Sequence, residues 1–154
     1  MRRVRSTAIA LVLAVGLIGL GGCESTVAAN GNGGSDDPLT REDWVAQTIA
    51  GKPVVHVGRV TLSFGEGRVS GRGGCNHYSG SVEYGNGAIK VGPLISTKMA
   101  CMEDGLMQQE SAYLKALHDA ERYEVGADGK LTITSKAGAI VYDGAPRQVR
   151  PEGQ

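Results

Sequence analysis

Short runs of alternating apolar and polar residues, each ended by a glycine turn, limit this chain to a sheet built from hairpins. Val60, Leu62 and Phe64 alternate with Thr61 and Ser63, which puts three apolar side chains on one face of a strand. Residues 81–84 and 88–91 flank Gly85-Asn86-Gly87, where Asn-Gly supplies the positive φ angles of a tight turn. Asp128-Gly129 repeats the device between residues 123–125 and 131–134, and Lys136-Ala137-Gly138 turns the chain toward residues 139–142. The pattern is that of a meander.

One stretch breaks the rule. Residues 103–120 lack proline, hold their single glycine near the start, and space Leu106, Tyr113, Leu114 and Leu117 along one helical stripe. Glu110 falls at the centre of that stripe, so its carboxylate faces the core as a structural or binding group. An unpaired carboxylate there costs several kcal/mol, so Glu110 needs a cation or several donors. Lys98, Arg72 and the backbone amides of the glycine loops are the candidates. The expected fold class is α+β: a cracked antiparallel β-barrel or strongly curved sheet of about seven to eight strands, covered by one α-helix.

The flanks read differently. Met1-Arg2-Arg3-Val4-Arg5 gives a basic start, residues 8–20 are apolar apart from two glycines, and Leu20-Gly21-Gly22-Cys23 resembles a bacterial lipobox. The apolar run is too short for a permanent span. The reading is a lipoprotein signal peptide over 1–22, removed to leave Cys23 carrying lipid, palmitate among its acyl chains; the alternative is an ordinary signal peptide with an incidental cysteine. Residues 23–41 are polar and glycine-rich and read as a flexible tether with a reach on the order of 20–25 Å. The folded domain is expected over 42–144, with a disordered tail over 145–154.

Arg2, Arg3 and Arg5 leave with the leader, so 13 of the 16 basic residues remain against 16 acidic ones. The mature chain is mildly acidic, which argues against a nucleic-acid partner. Its expected place is the periplasmic face of a bacterial membrane, held there by the lipid. Glu24 stands where Asp would mark inner-membrane retention, which favours the outer membrane.

Beyond Cys23 two cysteines remain, Cys75 and Cys101, and an even pair outside the cytosol is most simply a disulfide. Two other readings use the same residues. Cys75, His77 and Cys101, with His118, could ligate zinc, although the Cys-x-His spacing matches no familiar structural site. A nucleophilic thiol with His77 as base is the other. Gly71-Arg72-Gly73-Gly74 lacks the Lys-Ser/Thr and following helix of a phosphate loop, so these glycines serve a bulge or a close strand contact. His56 reads as an outward strand residue and Trp44 as a core anchor.

Gly74-Cys75-Asn76, Ser96-Thr97-Lys98-Met99-Ala100-Cys101 and Glu110-Ser111-Ala112-Tyr113-Leu114, in that order, resemble the META-domain family of HslJ-like bacterial envelope proteins. The resemblance covers 44–142. It implies a cracked barrel closed by one helix, with Cys75 and Cys101 near each other in space. It implies no catalytic residues and no cofactor, and associates the family with envelope stress and novobiocin resistance. The expectation is a monomeric, non-enzymatic module that binds an envelope protein or apolar ligand in a groove between helix and sheet. The alternative is a thiol- or metal-dependent enzyme using Cys75, Cys101 and His77.

Overall fold

A computed structural model describes residues 37–147. The leader over 1–22, Cys23, the tether as far as residue 36 and the tail beyond residue 147 lie outside the described residues. In chain order the elements are α1 (Pro38–Arg41), β1 (Glu42–Ile49), β2 (Lys52–Pro53), β3 (Thr61–Gly65), β4 (Arg68–Arg72), β5 (His77–Gly85), β6 (Ala88–Val91), β7 (Ile95–Ser96), α2 (Leu106–His118), β8 (Ala120–Val125), β9 (Lys130–Ser135) and β10 (Gly138–Pro146).

Eight antiparallel strands close into a barrel, with β2 and β7 as two-residue additions on β1 and β5. Closure comes from β1 against β10, paired from Glu42↔Pro146 to Ile49↔Ile140 around a bulge between Ala46 and Thr48. The bulge supplies the bend a closing strand needs. The crack implied by the family resemblance is reduced to one seam, where β6 and β8 share the single pair Ala88↔Arg122 and the Tyr123 amide donates to the Gly87 carbonyl at 2.9 Å.

Alternation fills the interior. Trp44, Leu62, Phe64, Val69, Leu131, Ile133, Ile140 and Tyr142 all point inward, and α2 adds Leu106, Tyr113, Ala116 and Leu117. Each such large apolar side chain contributes about 1.5–3 kcal/mol over leaving it in water. Asn86 and Gly87 adopt φ of 50° and 76°, the left-handed pair expected of that hairpin. Asp128 departs from the expectation. The β8–β9 loop spans four residues, with the Gly129 amide bonded to the Gly126 carbonyl at 3.0 Å, so only Gly129 needs positive φ.

Both domain boundaries move outward from the sequence reading. Residues 38–41, assigned to the tether by their polarity, form α1: the Asp37 carboxylate caps the Leu39 amide at 2.9 Å, Pro38 opens the turn, and Leu39 is only 1% exposed. The Trp44 indole N–H bonds the Leu39 carbonyl at 3.1 Å, tying the turn to the core. Residues 145 and 146, assigned to the tail, complete β10 because they pair with Asp43 and Glu42. Arg147 then donates to the Thr40 carbonyl at 2.8 Å, so the first and last described residues lie at one end of the barrel.

The two ends therefore differ. One carries α1 and the short turns at 66–67, 86–87 and 126–129. The other carries the loops 54–60, 73–76 and 97–105 and is covered by α2. Among the described residues no helix is long and apolar enough to cross a membrane.

Candidate functional site

Glu110 sits 7% exposed on the inward face of α2, four residues after Leu106 and three before Tyr113. Its Oε2 accepts from the Cys75 amide at 3.0 Å and the Asn76 amide at 2.7 Å, while Oε1 accepts from Asn76 Nδ2 at 2.7 Å. Of the candidate partners, the glycine-loop amides hold the carboxylate; Arg72 and Lys98 are exposed and take no part in the clamp. Three donors converging on one buried carboxylate offset its desolvation. Gly73 makes room, since a Cβ there would lie 2.7 Å from Glu110 Cγ. Gly71 likewise permits a close strand contact, because its Cβ would meet the Thr61 carbonyl.

Asn76 extends the clamp to the next loop. Its Oδ1 accepts from the Met99 amide at 2.7 Å and the Thr97 hydroxyl at 2.8 Å. The Cys75–Cys101 disulfide, with Cα atoms 6.2 Å apart, joins the same two loops covalently across 26 residues. A closed loop of that length stabilises by roughly 3.5 kcal/mol in the chain-entropy model.

The disulfide engages both sulfurs, so a thiol nucleophile or a thiolate ligand would first require its reduction. His77 opens β5 as an exposed residue, its amide bonded to Thr97 Oγ1 at 3.2 Å. His118 lies at the far end of α2, with Nδ1 3.3 Å from the Gly92 carbonyl. Among the described residues no three His, Cys, Asp or Glu side chains gather to hold a metal ion. His56 is in a loop rather than a strand, because the chain turns immediately after Pro53; it and Arg59 pair with Glu103 at 2.7 Å each. Arg59 holds the Glu103 carboxyl below its usual value.

One feature of the interior is not visible in the sequence. Tyr78 and Tyr113 share a hydrogen bond at 2.7 Å, Tyr142 donates to Tyr113 at 3.3 Å, and the Tyr78 hydroxyl also reaches the Thr61 carbonyl at 2.9 Å. Burial pushes the Tyr113 phenol up to about 12 and raises Tyr78 and Tyr142 well above 10. The three phenols come from β5, α2 and β10 and stack edge to face around Tyr113. Their sequence spacing carries no period, so only the closed fold brings them together.

Around the clamp two loops and the first turn of α2 expose apolar side chains. Val55, Val57, Met99, Met102 and Met107 are all about half or more exposed, with Met102 at 95%. They converge because the Val55 amide bonds Gln109 Oε1 at 2.5 Å and His56 and Arg59 hold Glu103, next to Met102. The seam between α2 and the sheet is filled by Leu106, Tyr113, Ala116 and Leu117, and among the described residues the exposed large apolar side chains are those of this collar, with Ile95 on β7 besides.

Two proteins of known structure share the fold. One, solved by NMR, is 26% identical with a TM-score of 0.57, the match covering 70% of this chain and 93% of that one. Another NMR structure, of a protein from Burkholderia xenovorans, is 28% identical with a TM-score of 0.56, covering 72% and 90%. No curated protein matches the chain. The META domain family pattern matches residues 37–145, from the cap of α1 almost to the end of β10, and the chain belongs to that family.

Proposed function

We propose that this protein is a non-enzymatic binding or escort module, held by lipid on Cys23 at the periplasmic face of a bacterial membrane, the outer membrane in a cell with two. Its partners are envelope proteins that expose apolar segments under stress. The observation that carries this reading is the exposed collar of Val55, Val57, Met99, Met102 and Met107, on two loops and the first turn of α2, where the disulfide and the Asn76 bonds hold the 97–105 loop and Gln109 and Glu103 hold the 54–60 loop. Unbranched methionines adapt to varied apolar partners. The collar lies at the end opposite residue 37, so a tether attached there leaves it facing away from the anchor. The novobiocin association of the family is read as a consequence of this envelope role.

The test uses the full chain in detergent micelles with chemically unfolded citrate synthase as client. The wild type is expected to suppress light scattering as the client is diluted from denaturant. A V57S/M99S/M102S variant should lose that effect at an unchanged thermal midpoint, since exposed substitutions shift stability little. Equal suppression by both proteins would refute the collar as the binding surface. Separately, labelled palmitate should enter the wild type and not C23S, which should appear in the soluble fraction.

A further inference from the structure

The outer wall of the barrel holds a trough of about 700 Å³ that neither clamp nor collar uses. Strand register builds its floor. Asp43 stands beside Ser63 and Ser63 beside Ser70, while Val45 stands beside Thr61 and Arg72 beside His77. These residues face outward because they alternate with the buried Trp44, Leu62 and Val69. The floor is thus a row of hydroxyls with cations around it.

Charge on this face is lopsided. Arg68 and Arg72 flank Ser70 on the exposed side of β4, and Arg147 closes the opposite rim with Nε 3.7 Å from Asp43 Oδ1. Among the described residues Asp43 is the sole carboxylate lining the trough, and its Oδ1 already accepts from the Ser63 hydroxyl at 2.6 Å. Among the described residues Arg68 reaches only the Ser79 hydroxyl, at 3.3 Å. Among the described residues the Arg72 guanidinium has no ion-pair partner.

We propose that this trough is a binding site for a short acidic saccharide, two or three sugar rings carrying carboxylate or phosphate. A guanidinium presents a planar fork that grips either oxyanion through two bonds. Ser63 gives its proton to Asp43 and is left to accept, Thr61 accepts from the Arg72 amide at 3.1 Å and keeps its proton to donate, and Ser70 can do either, so the row offers the mixed donors and acceptors that sugar hydroxyls need. A volume of about 700 Å³ suits a ligand of that size. A bare anion would leave the hydroxyl row unused, and a neutral sugar would leave Arg72 unpaired. Val45, Ala145 and Pro146 add apolar surface on which the C–H face of a sugar ring can rest, whereas a lipid tail would leave the hydroxyls and Arg72 without partners.

Amide chemical shifts of the isotope-labelled full chain in micelles test the site, with trigalacturonic acid as the acidic probe and maltotriose and inorganic phosphate as partial ones. Trigalacturonate should give saturable shifts at Thr61, Ser63, Ser70, Arg72 and His77. Maltotriose should give none, and phosphate should bind at least tenfold more weakly at the same amides. R68A/R72A should weaken trigalacturonate at least tenfold with the rest of the spectrum unchanged, and R72K, which keeps the charge and loses the fork, severalfold. The proposal is overturned if trigalacturonate gives no saturable shift, if phosphate binds as tightly as the saccharide, or if R68A/R72A binds as well as the wild type. None of these readouts involves the collar, so the two ideas fail separately.

Discussion

The two ends of the barrel are secured in opposite ways. At the α1 end the chain is held by individually weak local devices: a carboxylate cap on Leu39, an indole bond to a carbonyl, and two-residue turns. At the α2 end, long loops that would otherwise be loose are fixed by a buried carboxylate with three donors and by a disulfide joining the same loops. Short turns need little holding because they lose little chain entropy, whereas the long connections of the α2 end must be pinned before they can present anything. The apolar collar stands on the end that has been pinned.

The comparison can be broken most sharply at Glu110. Glu110→Ala leaves three buried donors without an acceptor and should cost about 4 kcal/mol, Glu110→Gln about 2, read from urea midpoints. If Glu110→Ala cost no more than loss of the α1 cap, the contrast between the ends would fail. Reduction of the disulfide, or C75S/C101S, should lower stability by roughly 3 kcal/mol while the carboxylate clamp keeps the fold. Nearly unchanged midpoints would make the clamp sufficient by itself.

The tyrosine cluster sharpens the comparison through pH. Tyr113 has its phenol raised to about 12 in the folded protein against 10 in the unfolded chain. The resulting stability is fully present below pH 10 and is lost as pH rises through about 12, because folding there must hold a proton the unfolded chain releases. Thermal midpoints should stay level to pH 10 and then fall, and Tyr113→Phe should flatten that fall. The smallest effect belongs to the α1 end: Asp37→Ala removes the cap and should cost about 1 kcal/mol by chemical denaturation.

Local patterns made much of this architecture readable in advance. Period-two alternation marked β3 and β9, Asn86-Gly87 marked a hairpin, and the helical stripe placed Glu110 inward before its donors were known. What stayed hidden depends on distant parts of the chain. The glycine-loop amides are among the candidate donors to Glu110, but which of them lie within reach, 34 and 35 residues away, and that the Asn76 side chain joins them, depend on the closed fold. Closure of β1 on β10 joins opposite ends of the domain, and the trough exists only once five strands are in register. The four-residue α1 shows the limit on the local side, since Asp37-Pro38 is a readable start but one turn has no period.

The single pair between β6 and β8 gives the barrel one weak stave joint. Protection from hydrogen exchange should be lowest along that line, with the backbone amides of β1 and β10 among the last to exchange. The wall would then part where β6 meets β8, beside the helix whose His118 leans on Gly92, and the closing seam would act as its hinge.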